Sequence, residues 1–400
     1  PSGKIVSYVL PLIDFGVTHW ETDYEYIQAI NFLRDANKTA APKVMHNGMY
    51  DATHLICYHA EPTNWIIDTM GLAHAEFVSL PKTLDFVASL YIYDYIQWKT
   101  ESKASSKTKD INGYWTYNAK DGFNTLRIAI EQLKNLPPYA RTNYARQFPL
   151  VYPSLYCNFE GFAVSVPVRN QLRAVALTKQ TEALKRLRTM VASEEFNPGS
   201  WQQVAHIVYD IFGATDPRIG WKKVAGKRAK CVRGTDEKNL RAVGEQHPLL
   251  MRLTDAILTY KEQQKAIGTY FDYELINGRL HWNLNPFGTE TNRFSCNSSS
   301  WWCGTQVQNI PPYAKGMLIA DEGFELIEAD QSQSDARGTA YLSQDLALIA
   351  ALETKDKDFY TSLGTLFFGI PYDLVSKDFR NAVLKRIVHG TNFMMGAATF

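Results

Sequence analysis

The order of apolar and polar positions divides this chain into short extended runs and long amphipathic helices. Residues 4–13 are typical of a strand, and 23–33 have the apolar spacing of a helix. Residues 43–51 predict a strand, a glycine turn and the start of another helix. A longer helix is indicated over 115–133. Together these elements predict an α/β domain over residues 1–136.

Helical spacing dominates after the two prolines at 137 and 138. Ranges 167–190, 201–212 and 249–271 each predict a helix, and a basic, glycine-containing segment separates the second from the third. Such a segment can follow a phosphate backbone, and the alternative is an ordinary solvated basic loop. Its candidate DNA-binding residues are Lys222, Lys223, Lys227 and Arg228.

The stretch 325–345 carries the strongest candidate for chemistry. Apolar residues within 326–329 predict a strand that ends at Asp330, and a polar turn leads into a helix over 335–342. A carboxylate held at the end of a buried strand suits a divalent-metal ligand, because Mg²⁺ prefers oxygen ligands. The alternative is that Asp330 caps the following helix.

Two pairs of side chains in the α/β domain have helical spacing. Asn47 and Asp51 are four residues apart, as are Tyr117 and Asp121, so each pair lies on one helical face. A phenol beside a carboxylate can orient and deprotonate a water, and Asp51 and Asp121 could share metal ions. The alternative for either pair alone is a surface or capping arrangement.

Composition narrows the class of protein only a little. The chain has 400 residues, 45% of them hydrophobic, which suits two or three domains, and its formal net charge is +1. Binding of nucleic acid would therefore need locally concentrated positive charge. Five scattered cysteines without a CxxC pair indicate a reducing, cytoplasmic compartment, and no apolar run is long enough to cross a membrane.

The segment 330–337, DQSQSDAR, resembles motif A of the family A DNA polymerases, Asp-Tyr-Ser-Gln-Ile-Glu-Leu-Arg. Gln331 replaces an aromatic residue, and Asp335 replaces the longer Glu. The resemblance implies that Asp330 binds the catalytic metals. It also implies that Asp335 lies beneath the sugar of the incoming nucleotide and excludes a 2′-OH. We expect discrimination against ribonucleotides.

The block 279–311 and the end of the chain also resemble this family. Residues 289–295 are similar to Thr-x-Thr-x-Arg-x-Ser, and 307–311 to Leu-Gln-Asn-Ile-Pro. The resemblance implies that three residues contact DNA near the primer end: Arg293, Gln308 and Asn309. Arg293 would reach minor-groove acceptors that every correct base pair presents.

The last 22 residues, 379–400, resemble motif B, the fingers helix that holds the incoming nucleotide. Lys385, His389 and Phe393 are spaced four apart on one face, and Lys385 would meet the triphosphate. Arg380, a further nucleotide-binding candidate, lies one residue away from the family's usual Arg. Residues 356–361 parallel the family's Asp-x-His-x-x-Thr. The histidine at 389 is similar to phage versions of the motif.

The α/β domain resembles the 3′–5′ proofreading exonucleases of the DnaQ and RNase D type. Asn47 and Asp51 match the second motif of that fold, and Tyr117 and Asp121 match the third. The first motif, Asp-x-Glu, is absent, since Asp14 has no Glu partner. We expect either a protein that extends upstream or an inactive exonuclease. The family's His-Asp-Glu motif is also absent, so we expect the protein to continue downstream.

These resemblances imply an α/β plus α+β chain: an RNase H-like exonuclease domain followed by a right-hand polymerase. The expected regions are 1–136 exonuclease-like, 137–278 thumb, 279–345 palm entry and 346–400 fingers. The implied protein is a phage-type, monomeric DNA polymerase with proofreading, using Mg²⁺, or Mn²⁺ in its place, at both sites. Its implied partners are primer–template DNA, dNTPs and an unidentified processivity factor. A phage-encoded enzyme would work in the host cytoplasm.

Alternatives to a proofreading DNA polymerase remain. One alternative is a relative of the single-subunit RNA polymerases, which have a motif of the same kind as motif A. Another is a stand-alone nuclease, which would not need motif B. A primer–template binding fragment, or a homologue inactive as an exonuclease, would lack a complete catalytic site. Salt-dependent DNA binding without turnover would favour the binding fragment.

Overall fold

The computed structural model describes residues 4–101, 108–216, 233–297, 304–354 and 357–392. The chain forms two compact units, 1–324 and 325–400. Among the described residues, no helix combines the length and apolar character needed to span a membrane. Five predicted site residues lie outside the described residues. They are Lys222, Lys223, Lys227, Arg228 and Phe393.

The first part of unit 1 surrounds a parallel strand pair, β3 and β4, with helices. Its elements are β1 Ile13–Asp14, β2 Val17–Thr18, α1 Asp23–Lys38, β3 Lys43–Met45, α2 Gly48–Cys57, β4 Trp65–Asp68, α3 Thr69–Glu76, α4 Leu84–Tyr91, α5 Ile111–Asn135, α6 Pro138–Gln147 and α7 Val151–Glu160. The predicted helices over 23–33 and 115–133 are confirmed and are longer than expected. Thr22 begins α1 with a capping box. The RNase H-like sheet remains a prediction.

The predicted strand over 4–13 is wrong, because β1 begins only at Ile13 and forms a two-residue hairpin with β2. The side chains of this run are largely solvent-facing, and Val6 and Tyr8 are exposed. An extended run becomes a strand only where a neighbouring backbone accepts and donates its hydrogen bonds. Among the described residues, the run 5–12 has one such backbone partner, His19, whose N–H donates to the Leu12 carbonyl at 3.0 Å beside the hairpin.

The second part of unit 1 is built on two long helices. Its elements are β5 Phe162–Val164, α8 Val166–Val191, α9 Trp201–Ala205, α10 Glu237–Gln246, α11 Met251–Ala266, β6 Arg279–Leu280, β7 Asn283–Asn285, β8 Ser295–Asn297, α12 Pro312–Lys315 and β9 Leu318–Ile319. Both α9 and α11 continue as π-helical turns, His206–Ile211 and Ile267–Phe271. The predicted helices over 167–190, 201–212 and 249–271 are thereby confirmed.

Two cores hold this second part together. One buries apolar residues between α8, α9, α10 and α11, among them Leu187, Leu240 and Ile257. The other packs β5, β6 and β9, an antiparallel sheet of order β6-β5-β9, against the end of α11. β7 and β8 form a separate antiparallel pair in which Leu284 lies opposite Cys296.

Unit 2 is mainly helical among its described residues. It contains α13 Ser334–Ser343, α14 Leu346–Glu353, α15 Phe359–Phe368, α16 Lys377–Phe379 and α17 Lys385–Asn392, with a π-helical turn, Arg380–Leu384, joining the last two. We call 377–392 the basic helix. Its Leu384 packs with Ala336, Ala340 and Tyr360 in one buried core. The helix predicted over 335–342 is confirmed as α13.

The strand predicted over 326–329 is wrong. Residues 324–331 have irregular backbone, and Leu326 and Ile327 are 51% and 89% exposed. The apolar run pairs with no described strand, so nothing satisfies its backbone groups as a sheet would. Asp330 therefore follows an exposed irregular segment instead of ending a buried strand.

Candidate active sites

Unit 1 contains a cavity of about 1220 Å³ whose wall includes Asn47, Asp51 and Asp121. Asp51 lies on the first turns of α2, and Asp121 lies near the middle of α5. Tyr117 lies one turn before Asp121, and Lys99 donates hydrogen bonds to both side chains. The structure thus brings together the two pairs of residues that the sequence identified by their spacing.

A buried carboxylate sets the turn that presents Asp51. Asp68, at the end of β4, is 1% exposed and accepts hydrogen bonds from the backbone N–H groups of Asn47 at 3.1 Å and Gly48 at 2.8 Å. It also accepts from the first N–H groups of α3. Asn47 adopts a left-handed conformation with φ of 56°. Asp68 is thus a structural residue that fixes the β3–α2 turn.

Gly48 is required at this turn by close packing. A Cβ atom there would lie 2.5 Å from Met45 Cβ and 2.5 Å from the ring of Trp65. Both neighbours belong to the strands on which the turn is built. The backbone therefore approaches β3 and β4 more closely than any larger residue permits.

Lys99 is a site residue that sequence reasoning missed. Its ammonium group donates to both carboxylate oxygens of Asp121, at 2.9 and 2.8 Å, and to the hydroxyl of Tyr117 at 2.9 Å. Trp98 Nε1 also donates to Asp121, at 2.6 Å. Lys99 is directed inward, and its side chain is 26% exposed. The charge pattern of the sequence alone gives no sign of this contact, because 22 positions separate Lys99 from Asp121.

The cavity changes the acidity of two groups on its wall. Desolvation by the surrounding cavity wall, and then the neighbouring carboxylates Asp68 and Asp121, raise the pKa of Asp51 to about 6, although Asp51 itself is partly open to solvent. Burial lowers the pKa of His46 to about 4. The ring of His46 lies between the Thr69 hydroxyl, at 2.8 Å from Nδ1, and the Lys82 carbonyl, at 3.0 Å from Nε2.

The donor set of this cavity suits a hard cation. Asp51 and Asp121 offer carboxylate oxygens to one cavity, and the raised pKa of Asp51 indicates that its charged form lacks compensation there. Within the described ranges, no group of three His, Cys, Asp or Glu side chains could hold a metal ion. A cation in this cavity would find two carboxylates, and one of them, Asp121, already accepts hydrogen bonds from Lys99 and Trp98.

In unit 2, the turn after Asp330 is held by the side chain of Arg337. Arg337 donates to the carbonyl of Ser332 at 3.1 Å and to that of Leu352 at 2.8 Å. Gln333 adopts a left-handed conformation with φ of 58° and begins α13 without a side-chain cap. Asp330 itself is exposed. A single carboxylate can bind Mg²⁺ together with substrate phosphates, so its exposure fits a metal that arrives with a nucleotide.

Three predicted nucleotide-binding residues lie near one another in unit 2. His389 Nδ1 is 4.0 Å from Asp335 Oδ2, and His389 Nε2 is 3.5 Å from the hydroxyl of Tyr360. Lys385 Nζ lies 5.6 Å from the centre of the Tyr360 ring. Tyr360 is 2% exposed, so it forms a fixed base for both basic side chains. The sequence did not single out this tyrosine as a site residue.

Arg380 also lies over the Tyr360 ring, with its guanidinium carbon 5.3 Å from the ring centre, but it has an acidic partner as well. Its Nε and one terminal nitrogen each donate to Asp358, both at 2.6 Å. This guanidinium holds the pKa of the Asp358 carboxyl well below its usual range. The π-helical turn Arg380–Leu384 inserts one residue into the helix, so a side chain five positions before Lys385 takes the place of one four positions before it. This explains the one-residue offset seen in the sequence.

The predicted DNA contacts in unit 1 form one exposed patch. Gln308 and Asn309 lie on a 3₁₀ turn, Val307–Asn309, that the buried Ile310 anchors. Gln308 Nε2 donates to the carbonyl of Phe294 at 3.2 Å, which places it beside Arg293. The structure therefore brings together two sequence blocks that the resemblance had assigned to the same role.

The fold is that of a polymerase domain. A solved structure, "POL domain of Pol1 from M. smegmatis complex with DNA primer-template and dNTP", is similar with a TM-score of 0.71 and 18% sequence identity. The match covers 96% of this chain and 63% of that one. At this identity the likeness concerns the fold alone.

The sequence comparisons identify the family. The family described as DNA polymerase family A matches residues 169–400, which is more than half of the chain. The chain belongs to DNA polymerase family A. The predicted polymerase fold is confirmed, whereas the exonuclease domain and the phage type remain predictions.

Several curated bacterial relatives are similar over part of their length. The thermostable DNA polymerase I of Thermus aquaticus is 33% identical over 240 residues, which is 56% of this chain and 26% of that protein. DNA polymerase I of Pseudomonas aeruginosa is 30% identical over 295 residues, 70% of this chain and 30% of that protein. DNA polymerase I of Synechocystis is 29% identical over 387 residues, 90% and 36% respectively. The chain thus spans about a quarter to a third of these relatives' length.

Proposed function

We propose that this protein is a template-directed DNA polymerase that adds dNTPs to a primer 3′-OH. The observation that carries the proposal is the convergence of Asp335, Lys385 and His389 around Tyr360 in unit 2. Membership of DNA polymerase family A supports it. The primer–template DNA and dNTP named for the similar solved structure are the ligands that we propose here as well.

The roles of the residues in unit 2 follow from their chemistry. Lys385 presents a compact positive charge to the triphosphate, and His389 lies one helical turn further along the same helix, with Phe393 another turn on. Asp335 lies within reach of His389 and would exclude a 2′-OH. Asp330 would hold Mg²⁺, which when bound supplies acidity to the 3′-OH and stabilises charge on the leaving pyrophosphate.

The patch of Arg293, Gln308 and Asn309 would bind the duplex near the primer end. Its side chains are exposed hydrogen-bonding groups on an anchored turn, as contact with minor-groove acceptors requires. The lysines and arginine at 222–228 would add sequence-independent contacts to phosphates. The protein is proposed to act as a monomer, with an unidentified processivity factor as a further partner.

A second candidate function is 3′–5′ proofreading. The supporting observation is the cavity that Asp51 and Asp121 share. Those carboxylates would hold Mg²⁺, and Tyr117 would orient the attacking water. Lys99 holds Tyr117 and Asp121 in a fixed relation within that cavity.

Primer extension with Mg²⁺, with and without dNTPs, tests both activities. We expect longer primers with dNTPs and shorter primers without them. Asp330→Asn should lower extension by at least about a thousandfold and leave shortening intact, because one catalytic carboxylate supports several kcal/mol of transition-state stabilisation. Asp373→Asn, which changes another exposed carboxylate of unit 2, is the control.

A primer that is bound but never changes length would contradict both activities and favour the binding fragment. Extension by the Asp330→Asn variant at the normal rate would contradict the proposed role of that residue. Efficient incorporation of ribonucleotides would contradict the role of Asp335.

A further inference from the structure

Asp358 connects three segments of unit 2 through one carboxylate. Its Oδ1 accepts from the backbone N–H and the hydroxyl of Thr361, both at 2.9 Å, and so caps α15. Its Oδ2 accepts from Gln333 Nε2 at 3.1 Å, in the turn that follows Asp330. Both oxygens accept from Arg380 in the basic helix. One side chain thus touches the motif A turn, α15 and the basic helix.

Each nitrogen of the Arg380 guanidinium donates one hydrogen bond. Two of its nitrogens donate to Asp358, and the third donates to Asn381 Oδ1 at 2.9 Å. The Arg380 and Asp358 side chains are only 22% and 28% exposed. A bidentate pair of this kind fixes orientation as well as distance. These contacts use three of the five guanidinium N–H groups, and the Asp358 carboxylate neutralises the charge that would otherwise attract a triphosphate.

The position of Asp358 in the sequence is also unusual. In the family's pattern Asp-x-His-x-x-Thr, residues 356–361 read DKDFYT, so an acidic residue stands where the pattern has His. An anion at that position repels a triphosphate but attracts a guanidinium. The Asp358 carboxylate and the Arg380 guanidinium therefore match each other in charge.

We propose that Asp358 and Arg380 are positioning residues that hold the basic helix against the motif A turn, and that Arg380 is not a triphosphate ligand. The pair places the π-helical turn, and with it Lys385 above Tyr360. From that position Lys385 would meet the phosphates. This inference rests on the proposed polymerase function, and it revises the nucleotide-binding role that the sequence suggested for Arg380.

Steady-state extension kinetics with three variants test the proposal: Asp358→Asn, Arg380→Gln and the double variant. Asn keeps the helix-capping oxygen but loses the charge that pairs with Arg380. We expect each single variant to raise the KM for dNTP by the same factor, on the order of tenfold, with a smaller change in kcat. The double variant should match the singles, because either change breaks the same pair.

The opposite role for Arg380 gives a different pattern. If Arg380 binds the triphosphate, Asp358→Asn frees it and leaves the KM unchanged or lower, while Arg380→Gln raises it. That result would overturn the proposal, as would effects that multiply in the double variant. Asp345→Asn is the matched control, because Asp345 caps α14 through Leu348 and has no arginine partner among its described contacts. An equal rise in KM for this control would also overturn the proposal.

The same variants in urea unfolding, followed by circular dichroism without DNA or nucleotide, separate this inference from the proposed function. The pair should show a coupling on the order of tenfold in the unfolding equilibrium constant. DNA synthesis by the wild-type chain without such coupling would overturn the inference and leave the function standing. Coupling in a chain that synthesises no DNA would overturn the proposed function and the nucleotide role, and leave the pair as a structural link.

Discussion

The cavity of unit 1 and the motif A turn of unit 2 each present a candidate metal-binding aspartate, but in opposite ways. Asp121 accepts three hydrogen bonds, two from Lys99 and one from Trp98, and lies on the wall of an open cavity. Asp330 is exposed and follows irregular backbone. A carboxylate with partly buried partners contributes to stability as well as to chemistry. An exposed carboxylate can be devoted to a ligand, so its replacement should affect activity alone.

Replacing each aspartate by asparagine tests this difference most strongly. Asp121→Asn should abolish primer shortening and also lower the free energy of unfolding by about 1–3 kcal/mol, because Lys99 loses its charged partner. Asp330→Asn should change that free energy by less than about 0.5 kcal/mol. Urea unfolding of both variants provides the measurement. A loss of stability at Asp330 equal to that at Asp121 would remove the distinction between the two sites.

A glycine in each region extends the comparison to packing. Gly48→Ala should destabilise the protein by about 2 kcal/mol or more, since the new Cβ would overlap Met45 and Trp65. Gly338→Ala in α13 should stabilise it by up to about 1 kcal/mol, because nothing lies within 4 Å of the added Cβ and alanine favours a helix. Thermal unfolding of the two variants measures both. Equal tolerance at the two positions would show that the turn before α2 is not closely packed.

The sequence predicted the local elements of both regions well, because periodicity and capping depend on neighbouring residues. The β3–α2 turn, α5 and α13 were all evident from spacing. The apolar run at 326–329 was misleading, since a strand also depends on a distant partner that no local pattern reveals. Candidate residues could be named, but only the structure showed which of them meet.

Long-range partners account for most of what the sequence missed. Lys99 contacts Asp121 across 22 positions, and Asp358 contacts Arg380 across another 22. Neither pair has a characteristic spacing. The offset of Arg380 was visible as an anomaly, but its cause was not. A π-helical turn depends on how the whole helix packs, so counting residues at 3.6 per turn could not predict it.

The smallest expected effect is the pH-dependent contribution of His46, on the cavity wall, to the stability of the fold. His46 keeps a pKa of about 4 in the folded chain because burial disfavours its charged form, whereas an ordinary histidine titrates near 6.5. Between these values the unfolded chain binds a proton that the folded chain does not. The contribution of His46 to stability is therefore fully present above about pH 6.5, and it falls as the pH decreases towards 4.

Between pH 7 and pH 5 the contribution of His46 should fall by about 1–2 kcal/mol. The variant His46→Gln, which has no titrating ring, should lose less stability than the wild-type chain over that interval. Urea unfolding at pH 7, 6 and 5 measures the difference, with the exposed His59 replaced by Asn as the control, since Asn tolerates its left-handed backbone. The assignment would be contradicted if the wild type lost less stability than His46→Gln between pH 7 and pH 5. It would mean that the ring gains a proton on folding, and that the cavity wall favours positive charge at this position instead of excluding it.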